Sequence, residues 1–196
     1  MSRPRVVVGI SGASGAAIGV RIVELLADAG RCDIHLVVTP SGERTLMHEA
    51  GPDALSTLTA TASRHYPNDD IGAHIASGSF RTAGMIVAPC SIHTLSAIAA
   101  SAADNLLVRA ADVQLKERRK LVLLVRETPL HLGHLRNMVA VTEMGAIVAP
   151  PVPGFYAKPA SIEAMVDHTV GRALDLFGIE TEGVTRWRAG AAPSAD

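Results

Sequence analysis

The chain has 196 residues and a formal charge of −1, enough for one domain with a sizeable core and without the field that would draw it to nucleic acid or anionic lipid. Apolar residues make up 48% but aromatics only 3%, which excludes a stacking platform for single-stranded nucleic acid, while a mean hydropathy of +0.26 points to apolar surface covered by self-association. Cys32 and Cys90 form neither a metal-ligand spacing nor a disulfide framework, no secretory h-region follows Met1 and no apolar run reaches the length of a membrane span, so a cytoplasmic protein is expected.

The first apolar run, Val6 to Ile10, reads as a strand and passes straight into Ser11, Gly12, Ala13, Ser14 and Gly15. A helix from about Ser14 to Asp28 follows, with Ile18, Ile22, Leu25 and Leu26 at helical spacing and Gly30 closing it. Ile34 to Val38 is the second strand and ends at Thr39, Pro40 and Ser41; a second helix starts near Ser41 and carries Glu43, Leu46, Met47 and Glu49. Residues 51–83 are broken by Gly51-Pro52, by Pro67 to Asp70 and by Ser77-Gly78-Ser79, and read as loop with short elements. A stretch this long inside a compact domain is expected to cover a site or an interface. Met85 to Ala88 is the third strand, ending at Pro89, Cys90 and Ser91. Helices at about 91–101 and 105–119 precede the fourth strand, Leu121 to Val125, which ends at Arg126 and Glu127. A helix over about 131–144 leads to the fifth, Ala146 to Val148, followed by Ala149, Pro150 and Pro151. The last helix covers about 161–177, with Ser161 as N-cap and Glu163 in its first turn. Residues 1–180 read as a single domain, and 181–196 as a partly disordered tail anchored by Trp187.

Strands alternating with helices predict an α/β fold, one parallel sheet with helices on both faces. Ligands of such sheets bind outside the carboxyl ends of the strands. That edge here collects glycines, hydroxyls, Arg126 and Glu127, a site for an anionic ligand. Gly9, Gly12 and Gly15 form neither the dinucleotide fingerprint nor a P-loop. They permit a tight turn before a helix N-terminus that favours an anion, although ordinary strand-to-helix punctuation accounts for them equally well. NAD-binding folds place an acidic residue after the second strand; Thr39-Pro40-Ser41 there argues for a mononucleotide such as FMN instead. Ser91 and Thr94 suit a phosphate or a flavin edge, or plain N-capping. Arg109, Asp112 and Lys116 share one helix face, as a salt-bridged surface stripe or as a cationic wall. His131-Leu132-Gly133-His134 looks like the nucleotide motif of class I aminoacyl-tRNA synthetases, but it follows the fourth strand rather than the first. No third ligand makes it a zinc site, so these histidines read as helix surface or interface. Cys90 reads as a small buried residue rather than a nucleophile. Prolines 150, 151 and 153 fix where Tyr156 points, and Arg172 lies on the flank of the last helix.

Several segments, in this order, resemble the UbiX family of flavin prenyltransferases: Gly9 to Gly15, Ser77 to Phe80, Pro89 to Thr94, Arg109 to Arg119, Arg126 to Pro129 and Pro151 to Tyr156. The resemblance covers roughly residues 5–180. Gly154 stands where many relatives have alanine, a change expected to leave the chemistry alone. The resemblance implies a flavodoxin-like (Rossmann-type) fold assembled as a dodecamer. It implies that reduced FMN is alkylated at N5 and C6 by dimethylallyl monophosphate. With no acidic cluster to carry Mg²⁺, the reaction is expected to need no metal. The product, prenylated FMN, would serve a UbiD-type decarboxylase, as in ubiquinone synthesis. By residue, Gly12, Ala13, Ser14, Thr39, Ser91, Ile92, His93, Thr94 and Arg126 are implied to hold FMN, and Lys116, Tyr156 and Arg172 the prenyl phosphate, with Arg109 and Glu49 completing the polar site. Ser14, Glu127 and Lys116 are the implied catalytic set; Glu49 and Arg109 are left open as residues of the same or a neighbouring subunit. Two other functions fit the same residues: a direct FMN-dependent decarboxylase of aromatic acids, and a non-catalytic flavin carrier.

Overall fold

The computed structural model of the protein describes residues 3–182 and 184–187. Its strands are β1 (Arg5–Ile10), β2 (Asp33–Val38), β3 (Arg64–Tyr66), β4 (Gly84–Cys90), β5 (Lys120–Val125) and β6 (Ile147–Val148). They form one sheet in the order β3-β2-β1-β4-β5-β6 with every pairing parallel. Val7, Val8, Leu36, Ile86, Val87 and Leu123 are wholly buried. Such unbroken apolar runs belong to a parallel sheet covered on both faces. Without β3, the five strands foreseen from sequence lie in the flavodoxin order, second-first-third-fourth-fifth.

β3 lies inside the segment expected to be loop, which also contains a helix, α3 (Ala54–Thr61), and a 3-10 turn, His74–Ala76. Three residues, two of them polar, carry no alternation that would mark a strand. Long-range partners fix it instead: it pairs through His35 to Arg64 and Val37 to Tyr66, and the Tyr66 hydroxyl lies 2.8 Å from His35 Nδ1.

The remaining helices are α1 (Ala16–Ala29), α2 (Pro40–Ala50), α4 (Ile92–Ala99), α5 (Leu106–Lys116), α6 (Leu132–Glu143) and α7 (Ile162–Asp175). α1 starts two residues later than its apolar spacing suggests, because Gly15 sits at φ 105°, outside helical space. Its buried stripe is Ile18, Ile22, Val23 and Leu26, and Gly30 closes it with its N–H on the Ala27 carbonyl. Ser161 caps α7 as expected, accepting from the Ala164 N–H at 3.2 Å.

The chain divides into two compact units, Met1–Pro151 and Val152–Asp196. The first holds the sheet and α1 to α6. The second holds a 3-10 turn, Phe155–Ala157, and α7. Within it Gly171 lets Thr181 and Val184 pack over the helix, since a Cβ there would strike both. Most of the tail expected to be partly disordered, from residue 188 on, lies outside the described residues. Among those described, no helix is long and apolar enough to cross a membrane.

Candidate active site

Strand order reverses at β1: the chain continues to β2 on one side and reaches β4 on the other. Ligands of open α/β sheets bind above such a point. Backbone and hydroxyl groups tie four strand ends into one rim here. Thr39 N–H donates to the Ile10 carbonyl at 2.9 Å, and Arg126 N–H to the Cys90 carbonyl at 3.0 Å. Ser11 bridges the centre. Its hydroxyl donates to the Pro89 carbonyl at 2.9 Å and accepts from the Ser91 N–H at 2.8 Å. Ser11 is 1% exposed. Nothing in the sequence singles it out beyond a small hydroxyl placed directly after a strand.

Gly12 passes so close to α2 that a Cβ would lie 2.3 Å from the Ser41 Cβ, so this loop needs glycine for close approach. The next feature departs from expectation. The α1 N-terminus, read as an anion site, is filled by the chain's own Glu49, whose Oε2 accepts from the Gly15 and Ala16 N–H groups at 2.8 Å each. Burial would raise the Glu49 pKa. The Ser14 hydroxyl, the Ala16 and Gly15 N–H groups and the Arg126 charge outweigh that, holding the carboxyl below its usual range. Glu49 therefore joins Ser14 and Arg126 within one chain.

An anionic ligand finds its donors one loop further along. Ser91 caps α4, accepting from the Thr94 N–H at 3.2 Å and donating to Thr94 Oγ1 at 3.1 Å. The first-turn N–H groups of Ile92 and His93 have no acceptor inside the helix. Small loop residues at Gly12 and Ala13, these donors, Thr39 and the exposed Arg126 suit a flavin mononucleotide. Thr39 itself caps α2 through the Gly42 N–H at 3.0 Å. Glu127, beside Arg126, is exposed and accepts from the Thr128 N–H at 2.9 Å. Burial pushes the Cys90 thiol up to about 12, consistent with a structural residue.

Arg109 and Lys116 lie towards opposite ends of α5. Arg109 bonds the Ala76 carbonyl at 3.2 Å and Asp112 at 2.6 Å. Lys116 pairs with Glu117 rather than with the Asp112 stripe, and a Cβ at Gly78 would strike both Lys116 and Glu117. Lys116 closes α5 just before Lys120 opens β5, whereas Arg126 and Glu127 follow the far end of that strand. The length of β5, about 20 Å at ~3.3 Å per residue, separates them. Lys116 cannot reach the rim of its own chain.

Tyr156 and Arg172 belong to the second unit. The Tyr156 hydroxyl lies 3.1 Å from His168 Nε2, and its ring meets Trp187 edge-on at 5.4 Å. Gly154 makes room for that contact, since a Cβ would come within 2.8 Å of the His168 ring. Arg172 donates to Asp175 at 2.6 Å. At the N-terminus of α6, His131 serves as N-cap through the Gly133 N–H at 3.0 Å, and its ring lies 3.6 Å from that of His134. Among the described residues no three His, Cys, Asp or Glu side chains converge on a point.

The pattern of the Flavoprotein family matches residues 1–174. A probable UbiX-like flavin prenyltransferase of Bacillus subtilis is 53% identical over 93% of this chain and 89% of its own. The chain belongs to the UbiX family of flavoproteins. The UbiX flavin prenyltransferase of Escherichia coli K12 is 52% identical over 89% of this chain and 92% of its own. In three dimensions, a UbiX protein solved with FMN and dimethylallyl pyrophosphate superposes with a TM-score of 0.91 at 46% identity, over 94% of this chain and 97% of its own. A dodecameric FMN-dependent UbiX-like decarboxylase of Escherichia coli O157:H7 also gives 0.91, at 44% identity over 94% and 99%.

Proposed function

We propose that this protein is a flavin prenyltransferase that joins a dimethylallyl group to reduced FMN, with dimethylallyl monophosphate as donor. The observation that carries the reading is the near full-length match to a UbiX chain solved with both FMN and a dimethylallyl phosphate ester. The rim formed by Gly12, Ala13, Ser14, Thr39, Ser91 to Thr94 and Arg126 holds the flavin. The N5 of reduced FMN joins one allyl carbon as the allylic C–O bond breaks and phosphate departs with the N5 proton; protonation of the remaining alkene then lets C6 join the other end, with loss of the C6 proton. A five-carbon tail contributes only ~4 kcal/mol on burial, at ~0.8 kcal/mol per carbon, so cations on the phosphate supply much of the binding and stabilise its growing charge. Lys116 and Arg172 have that role, the Tyr156 hydroxyl adds a hydrogen bond, and Arg109 completes the polar site. Glu127 passes a proton to the leaving phosphate, and Ser14, hydrogen-bonded by Glu49, handles a proton at N5.

Because Lys116 lies a strand's length from its own rim, Lys116 serves the site of another copy. The active unit is then an oligomer, a dodecamer like the Escherichia coli O157:H7 relative. Product passes to a UbiD-type decarboxylase. A cytoplasmic location accords with two buried free cysteines. A second reading, direct decarboxylation of an aromatic acid, draws on the relatives described as decarboxylases. Anaerobic incubation with reduced FMN and dimethylallyl monophosphate separates the two. Flavin mass rises by one dimethylallyl unit, with EDTA present as without it. Unchanged flavin, with CO₂ released from an aromatic acid, gives the second reading.

A further inference from the structure

Asp175 holds two arginines at once. Its side chain is 13% exposed. It accepts from Arg172 Nη1 at 2.6 Å and, bidentately, from Arg186 Nη1 and Nη2 at 2.8 and 2.9 Å. The hydrogen bond from Arg186, then the charges of both arginines, keep its carboxyl below the ordinary range against the effect of burial. Two guanidiniums share one carboxylate, and Glu180 also lies within electrostatic range of Arg186. Each guanidinium has five N–H donors. Arg186 uses two of them on Asp175 and Arg172 one, and the two side chains are 45% and 53% exposed. A bidentate pair within a small network adds more to stability than an isolated exposed pair does, and it still leaves donors on both guanidiniums.

The pair has the form of a phosphate receptor: forked donors on two guanidiniums that one carboxylate holds together. It also adjoins a residue already assigned to the donor. Tyr156 lies within electrostatic range of Arg186, and Trp187, the next residue, touches the Tyr156 ring. We propose that Arg186 is a second phosphate-binding arginine of the donor site, and that Asp175 is the positioning residue that presents Arg172 and Arg186 side by side to an alkyl phosphate. The inference rests on the reading that Arg172 and Tyr156 receive the donor. It moves the functional chain to residue 187 at least, into what the sequence suggests is tail.

The test begins on the wild-type oligomer, which needs no variant to fold. Arginines are modified with phenylglyoxal, with and without dimethylallyl monophosphate, and mapped by peptide mass. Protection of Arg172 and Arg186 together supports the proposal. Protection of Arg172 alone overturns it and leaves the functional reading intact; protection of neither, with no flavin adduct formed, removes both. Steady-state kinetics at saturating reduced FMN then read Arg186→Gln, Arg186→Lys and Asp175→Asn. For Arg186→Gln the donor KM rises about tenfold or more, the scale of a hydrogen bond to a charged group, while kcat falls much less. Inhibition by inorganic phosphate weakens in parallel, and Arg186→Lys recovers part of the loss. Asp175→Asn also raises the donor KM, with FMN affinity retained. An unchanged donor KM and unchanged phosphate inhibition in Arg186→Gln would overturn the assignment.

Discussion

Glu127 and Glu49 stand on one rim, yet their surroundings divide their tasks. Glu127 is exposed and accepts a single backbone N–H, from Thr128, so it is free to turn towards a departing phosphate. Glu127→Gln keeps shape and some hydrogen bonding but cannot carry a proton. FMN and donor should still bind, and the single-turnover rate should fall ~10²–10⁴-fold, the range of general acid–base groups. Rapid mixing of anaerobically reduced flavin with donor, followed by absorbance and mass, measures this; a near-normal rate leaves phosphate departure to electrostatics alone. Glu49 is instead engaged by the Ser14 hydroxyl and two backbone N–H groups. It positions, and its charge matters to the helix it caps.

At the scale of elements, two ionisable groups both weaken the fold as pH falls, His35 in the neutral range and Glu49 further into acid. The Glu49 pKa is depressed in the folded chain. Its contribution to α1 is therefore complete above the unfolded value near ~4.3 and is lost as pH falls through the folded value. Glu49→Gln should cost ~0.3–1 kcal/mol at pH 7, the scale of an anion at an exposed helix N-terminus, with the gap to wild type closing in acid. Thermal melts of both proteins from pH 7 to pH 3 test it. His35 sits where β2 meets the edge strand β3, stacked on Tyr66 and edge-on to Phe80. Burial first, then the charges of Arg5, Arg64 and His74, push its imidazole below the usual range; Asp33 opposes them. The neutral ring is the folded form. That stability is present above the unfolded value near ~6.5 and drains away as pH falls through it. Protection factors at β3, from amide exchange corrected for its intrinsic pH dependence, should fall between pH 7.5 and pH 5.5, and His35→Asn should flatten that dependence; a pH-independent protection of β3 in the wild type contradicts this account.

For the whole molecule the decisive geometry is the strand length between Lys116 and the rim. If each site takes Lys116 from another copy, two dead variants should repair each other. Lys116→Ala and Glu127→Gln proteins, each nearly inactive alone, should regain part of the wild-type rate after co-refolding or co-expression, because mixed oligomers contain sites with both native residues. No recovery in mixed oligomers of confirmed composition would return Lys116 to its own subunit or remove it from the mechanism. The exposed Leu132, Leu135 and Val139 of α6, at helical spacing, supply apolar surface of the kind self-association covers.

The sequence by itself determined the five main strands, their parallel arrangement and the ligand-binding edge, because apolar runs and the small residues that end them are local signals. It also carried the family, through ordered motifs. It did not show β3, which has three residues and depends on pairing with β2. Nor did it show that Glu49 closes the α1 N-terminus, a contact across 34 residues, or that Ser11 fastens β1 to the loop after β4. Asp175 and Arg186 look like ordinary surface charges until the packing of Thr181 and Val184 over Gly171 is known. Each of these depends on where strands and helices lie after packing. Hydrogen bonds and ion pairs act over a few ångströms, so only the folded chain decides which distant residues come within reach.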